Sequence, residues 1–254
     1  MGLVTRNIGR LLAHYLNKPV RDYRPAATTS PDKLRLLLKP CDVLLVEGNR
    51  RISSAIKYLT QSTWSHAAIC VGPLPGYDPT APMLVEVDLE NGVTAVPLDK
   101  YDRFHTRICR PVGLSDLEMR QVVAFVVERI GHHYDMKNVI DLMRYLLPTP
   151  PVPVRFRRKM LALGSGDPTR AICSTLIAQA FHSIRYPILP TISVQDLTAT
   201  IMGTNVRREV LHIRHHSLFT PRDFDVSPYF QIIKPTLALG FDHRTLIWDD
   251  EDEE

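Results

Sequence analysis

The pattern of hydrophobic and polar positions divides the middle of the chain into short strands. Apolar or alternating stretches of strand length lie at 42–47, 66–72, 83–88, 93–98, 107–112 and 229–234. The third and fourth stretches flank Glu90-Asn91-Gly92, which has the turn chemistry of a tight hairpin. Short turns between most of these strands predict that neighbours in sequence pair with each other.

Helices are predicted between and after these strands. Residues 52–60 have the pattern of a short helix, and residues 171–184 place Ile172, Leu176, Ala180 and Ile184 on one face. Ser115-Asp-Leu-Glu118 is a capping box that opens a helix reaching residue 130, before Gly131. Thr220-Pro221 is a further helix start. Strands in a run with flanking helices predict an α+β fold with a mainly antiparallel sheet.

The two ends differ in character from this central domain, which we assign to residues 38–235. Residues 1–18 predict an amphipathic helix with a basic opposite side, either packed on its own domain or lying on an anionic membrane. Residues 19–37 contain three prolines and are predicted as a linker. Residues 147–170 form a basic, proline-rich insertion, and 236–254 a C-terminal extension with an acidic tail.

Composition narrows the class of protein. With 44% hydrophobic and 23% charged residues among 254, the chain has the composition of a folded globular protein. Neither a membrane-spanning stretch nor a secretory signal is recognised, so we expect a cytoplasmic protein, alternatively one peripheral on the inner membrane face. The four cysteines do not suggest a disulfide scaffold.

Charge indicates the kind of partner. The formal net charge is +4 although residues 249–254 are all acidic, so the rest of the chain carries a larger positive surplus. The basic cluster 155–159 suits phosphate or lipid headgroups. It has one aromatic residue, Phe156, and therefore does not predict nucleic-acid binding. We expect an anionic membrane surface, contacted through residues 1–18 and 155–159, as a possible partner.

Three residues together suggest nucleophilic chemistry. Cys173 falls in the first turn of its predicted helix, where the helix dipole favours a thiolate. His66 begins a strand and could serve as its base, and Glu86 lies within an apolar strand, where a carboxylate needs a partner. Taken singly, each residue has a structural explanation: a small core residue, a strand-edge histidine and a surface charge.

The same residues carry a resemblance to a known family. The chain resembles the permuted papain-like amidases, the YiiX/YaeF-like branch of the NlpC-like cysteine hydrolases, over about residues 38–235. The matching segments, in chain order, are Cys41-Asp-Val-Leu-Leu-Val46, Ser53-Ser-Ala-Ile56, Trp64-Ser-His66-Ala-Ala-Ile-Cys-Val-Gly72, Met83-Leu-Val-Glu86, Asn91-Gly-Val93, Tyr134-Asp135, Ile172-Cys-Ser-Thr-Leu-Ile177 and Thr220-Pro-Arg-Asp-Phe-Asp-Val-Ser-Pro228.

The resemblance implies Cys173 as nucleophile, His66 as base and Glu86 as the third polar residue, with the histidine strand preceding the cysteine helix because of circular permutation. It also implies cleavage of amide bonds in peptides or peptidoglycan fragments. Two departures are Cys41, where the family commonly has glycine, and the insertion 147–170. We expect a local backbone change at the first and a reshaped substrate groove at the second.

Three functions from different classes remain open at this level. The first is a cysteine amidase or peptidase acting on a peptide or acyl-amide substrate, with Tyr134 lining the substrate site. The second is an acyltransferase or lipid (thio)esterase at a membrane surface, and the third is an inactive binding module. No cofactor or metal is expected, because the histidines at 132–133 and 212–216 lack partners at the spacing of a zinc motif.

Overall fold

A six-stranded antiparallel sheet forms the centre of the computed structural model, which describes residues 18–20, 23, 27, 29–88, 91–132, 173–201 and 204–245. The strands of the described chain are β1 (Val43–Val46), β2 (His66–Gly72), β3 (Met83–Asp88), β4 (Gly92–Pro97), β5 (Thr106–Pro111), β6 (Thr191–Ile201), β7 (Thr204–His212) and β8 (Phe230–Ile233). The large sheet has the order β4-β3-β2-β1-β5-β8, and β6 pairs with β7 alone. The mainly antiparallel α+β arrangement predicted from the sequence is therefore observed.

Helices and short 3₁₀ turns cover the sheet. The helices are α1 (Pro31–Leu37), α2 (Arg51–Thr60), α3 (Asp116–Val127), α4 (Cys173–Ser183), α5 (Pro221–Asp225) and α6 (Pro235–Ala238). A 3₁₀ turn, Leu98–Tyr101, follows β4 directly. The predicted capping box of α3 is present, with Ser115 and Glu118 bonded reciprocally. The helix ends at Val127, three residues earlier than predicted.

Alternation along the strands divides the core into two layers. Val43 and Leu45 face the layer that contains buried residues of α3 and α4, such as Val122 and Leu176. Leu44 and its same-face neighbours meet the layer formed by α1 and the 3₁₀ turn. All four residues of β1 are buried, which suits a central strand covered on both faces.

Two parts of the chain differ from the sequence-based expectation. Within the predicted linker 19–37, residues 31–37 form α1, because Pro31 occupies the first helical turn and Leu34 finds a buried place under the sheet. The hairpin of β6 and β7 was not predicted. Within the described chain its two strands form a separate two-stranded sheet, and Ile192 and Leu211 at its base are exposed.

Cys41 adopts a left-handed backbone conformation, with φ of 70°. This conformation suits glycine and is rare for other residues. The residue that stands where the resembled family commonly has glycine thus retains a backbone geometry that glycine favours. Its thiol is buried beside the main-chain oxygen of Met119.

A short segment before α1 is held against the loop that follows β1. Pro19 forms an isolated antiparallel bridge with Arg50, and the Val20 N–H donates to the Asn49 carbonyl over 2.8 Å. The predicted helix over 1–18 lies outside the described residues except for its last position. The insertion 147–170 and the acidic residues 249–254 also lie outside. In the part of the chain that is described, no helix is long and apolar enough to cross a membrane.

Candidate active site

A cleft opens beside the N-terminal end of β2. It is bordered by the loop after β1, helix α2, the 3₁₀ turn and the first residue of α4, and it encloses about 750 Å³, counting the part open to solvent. His66, Glu86 and Cys173 all line it. The fold therefore brings the three sequence-predicted residues to one place, from β2, β3 and α4.

Cys173 is the first residue of α4 and is largely buried, with 6% of its surface exposed. Its side chain lies near the imidazole of His66 and contributes to the raised pKa of that imidazole. A thiol at the start of a helix lies where unpaired N–H groups and the helix dipole favour negative charge.

His66 connects the thiol to a carboxylate. Its Nε2 lies 2.6 Å from Glu86 Oε2, which leaves Nδ1 for the Cys173 side. Burial by itself lowers the pKa of this imidazole, but the negative charges of Cys173 and Glu86, with their hydrogen bonds, outweigh burial and raise the pKa to about 10. The charged imidazolium is thus the favoured form at neutral pH.

Glu86 is almost fully buried and accepts hydrogen bonds from three donors. Only 2% of its side chain is exposed. Besides His66, the ammonium of Lys100 contacts Oε1, and the hydroxyl of Tyr101 donates to Oε2. Burial opposes ionisation of this carboxyl. The charges and hydrogen bonds of His66 and Lys100 overcome that effect and hold its pKa well below the usual range.

Sequence reasoning missed Lys100 and Tyr101. Both lie on the 3₁₀ turn that follows β4, and the pairing of β4 with β3 returns this turn to the side of Glu86. Burial, followed by the charge of Glu86, raises the pKa of Tyr101 well above its ordinary value, so the phenol stays a hydrogen-bond donor. The one available signal was that a carboxylate inside an apolar strand requires donors near it.

The loop after β1 forms one rim of the cleft. The Gly48 N–H donates to Ser65 Oγ over 2.9 Å. A Cβ at Gly48 would lie 2.4 Å from Ser53 Oγ and 2.9 Å from Ser65 Oγ, so a larger residue would require both serine side chains to move. Across the cleft, Arg50 and Asp88 form an ion pair at 3.5 Å.

The remaining cysteines differ from Cys173 in their surroundings. Cys41, Cys70 and Cys109 are fully buried, and burial raises the pKa of Cys41 and of Cys70 to about 12. None of these three lines the cleft. Cys173 is thus the cysteine that combines access to the cleft with an imidazole partner.

The other sequence-based candidates are Tyr134 and the histidines. Tyr134, predicted to line the substrate site, lies outside the described residues. His212 contacts Ser193, and the rings of His215 and His216 stack on each other away from the cleft. Within the described ranges, no group of three or more histidine, cysteine or acidic side chains is arranged to hold a metal ion.

Comparisons with known proteins assign no function to this site. No family model and no curated protein matches this chain. Among solved structures, the chain is similar to a crystal structure described as metalloprotein yiiX from Escherichia coli O157:H7, DUF1105. The two share 15% sequence identity with a TM-score of 0.45, over 78% of this chain and 97% of that chain. The function proposed below therefore rests on the side chains of the cleft.

Proposed function

We propose that the protein is a cysteine hydrolase that cleaves an amide bond in a peptide or peptidoglycan-like substrate. Cys173 is the nucleophile, His66 the general base and acid, and Glu86 the residue that orients the imidazole. The observation that supports this most directly is the position of His66, which is bonded to a buried carboxylate and lines the same cleft as Cys173, the first residue of α4. Nucleophile, base and orienting group in this order make up a minimal acyl-transfer site.

The reaction proceeds through an acyl-enzyme. The Cys173 thiolate attacks the substrate carbonyl, and the backbone N–H of Cys173 with a neighbouring donor stabilises the oxyanion, at about 3 kcal/mol per donor. The His66 imidazolium gives its proton to the leaving amine as the carbon–nitrogen bond breaks. A water molecule, deprotonated by the now neutral His66, then attacks the thioester, and Cys173 leaves as the thiolate. The product is the free carboxylate.

Glu86 acts in this sequence without changing its protonation. Three donors surround its carboxylate, and its pKa stays well below the usual range. It therefore holds the Nε2–H tautomer of His66 and stabilises the imidazolium. Nδ1 remains directed toward Cys173, where the proton is exchanged.

A second candidate, acyl transfer or cleavage of a lipid ester or thioester, is favoured by the wall of the cleft. Ile52, Ile56 and Phe104 contribute apolar surface to it, opposite the polar residues of the site. The same acyl-enzyme serves both reactions, so the two differ in the acyl group accepted and in the molecule that removes it. An aliphatic acyl chain fits an apolar wall better than a charged peptide does.

The test measures how fast Cys173 is alkylated by iodoacetamide between pH 5 and 9, with the modified sites mapped by mass spectrometry. At pH 6 an ordinary thiol is roughly 1% thiolate or less. We expect Cys173 to react much faster than such a thiol, and His66→Ala to remove the advantage. His243→Ala is the matched control, because His243 is exposed, with 70% of its side chain accessible, and does not line the cleft.

Turnover then distinguishes the candidate functions. Release of product from peptide amides, lost in Cys173→Ala, supports the amidase. Turnover of lipid esters or thioesters alone supports the second candidate. If Cys173 reacts no faster than Cys41 or Cys109 in either protein, the thiolate–imidazole pair is not assembled, and a binding module is the better description.

A further inference from the structure

We infer that Lys100 is a positioning residue of this site. It fixes the orientation of the Glu86 carboxylate, and its positive charge lowers the proton affinity of His66. The inference rests on the proposed function, since it concerns how the proposed base is tuned. Lys100 itself is assigned no contact with substrate. It acts on His66 through Glu86.

The fold places Lys100 with little freedom. β4 pairs with β3 along its length, with Glu86 opposite Thr94 and Met83 opposite Pro97. The 3₁₀ turn begins immediately afterwards, and its first and last residues, Leu98 and Tyr101, are buried in the core layer beneath it. The turn is therefore anchored at both ends, and Lys100 between them reaches back to Glu86.

The donors around Glu86 are divided between its two oxygens. Oε2 accepts from His66 and Tyr101, and Oε1 accepts from Lys100. Bonds to one oxygen alone would allow the carboxylate to turn about its terminal torsion, which has broad minima. The contact to Oε1 restrains this rotation, so Oε2 stays directed at the imidazole.

Lys100 also changes the electrostatic balance. The groups around the carboxylate are His66 from β2 and Lys100 and Tyr101 from the 3₁₀ turn, with Cys173, Arg50 and Asp88 on the cleft wall. Glu86 stabilises the imidazolium, and the Lys100 ammonium on the far oxygen opposes it. Removing the positive charge should therefore make His66 bind its proton more tightly.

Tyr101 offers a matched comparison. Its hydroxyl donates to the same carboxylate but is neutral. Replacing it with phenylalanine removes a hydrogen bond and no charge. If the charge of Lys100 acts on His66, the titration of His66 should shift in Lys100→Met and shift much less in Tyr101→Phe.

The experiment titrates His66 by NMR in a Cys173→Ala background, which removes the thiol and makes the result independent of alkylation or turnover. We expect Lys100→Met to raise the proton affinity of His66 about tenfold, and Lys100→Arg to restore the parent value within about threefold. Lys33→Met, at an exposed position on α1, is the control and should cause no shift. The ¹⁵N shifts of His66 report the tautomer, which should be less uniformly Nε2–H in Lys100→Met.

The outcomes separate this inference from the proposed function. If Lys100→Met lowers thermal stability but leaves the titration and tautomer of His66 unchanged, Lys100 is merely structural and the inference is wrong. Should that variant not fold, Lys100→Gln removes the same charge while keeping a donor, and the same shift is required of it. If His66 does not affect Cys173 alkylation, the proposed function fails whatever the titration shows.

Discussion

Replacing Glu86 with glutamine tests the electrostatic design of the site most directly. Glutamine has nearly the same shape, so the change removes the charge with little effect on packing. The side chain is 2% exposed and accepts bonds from three donors, so the substituted amide must pair with groups arranged for a carboxylate. Its NH₂ group cannot accept from any of them. His66 loses the anion that stabilises its charged form.

The size of the effect follows from the distance and the burial. With 2.6 Å between Nε2 and Oε2, the charge centres are about 4 Å apart, which gives roughly 4 kcal/mol at an effective dielectric constant of about 20. The imidazole is 24% exposed, so solvent screens part of this. About half remains, roughly 2 kcal/mol, which corresponds to a factor of about 30 in proton affinity. His66 should therefore lose its proton at a pH about 1.5 units lower in Glu86→Gln than in the wild type.

Alkylation of Cys173 is the assay, since it reports the thiolate without knowledge of the substrate. In the pH dependence of the alkylation rate, followed from about pH 6 to about 11, we expect the step at which His66 loses its proton to move down by about 1.5 pH units in Glu86→Gln. Glu128→Gln is the control, because Glu128 is 74% exposed and its ion pair with Arg129 is loose, at 4.0 Å. A folded Glu86→Gln protein whose pH profile coincides with that of the wild type would refute the reasoning, because the buried charge would then not act on the pair.

Two further predictions concern the stability of the site. Gly48→Ala should lower the free energy of unfolding by about 1–3 kcal/mol, because the new Cβ overlaps Ser53 Oγ. Adding Ser53→Ala should recover part of that loss. Chemical denaturation of the wild type and the two variants measures both effects, and an unchanged midpoint in Gly48→Ala would contradict the overlap. Because the pKa of Glu86 is lowered on folding, its contribution to stability is complete above pH of about 4.5 and is lost as pH falls below that value. The thermal midpoint of the wild type should therefore drop more steeply between pH 5 and 2 than that of Glu86→Gln, and parallel curves would show that the ionised carboxylate does not stabilise the fold.

Local patterns identified the strands that carry the site, because these strands are buried on a regular face. The bounds of β2 and β3 agree with the alternation and turn signals of the sequence. Glu86 was conspicuous for the same reason, as a carboxylate among apolar neighbours. The β6–β7 hairpin was not predicted, and the apolar residues Ile192 and Leu211 at its base are exposed.

The features that were not predicted depend on contacts between residues that are distant in the sequence. Lys100 and Tyr101 reach Glu86 through the register of two strands, so their role follows only once that register is known. Residues 31–37 were predicted as part of a linker because of the nearby prolines. Pro31 instead begins α1, and Leu34 is its buried residue. The rim at Gly48 is set by two serine side chains from different elements.

The order in which the site is assembled follows from where its members lie in the chain. The contacts of Glu86 with His66, Lys100 and Tyr101 span 20, 14 and 15 residues, all within one meander. Closing such short loops costs little entropy, so we expect this part of the sheet to form early in folding. Cys173 arrives from a far later segment. During synthesis and refolding its thiol should therefore remain an ordinary, weakly reactive group until the helix docks and brings it to the imidazole of His66.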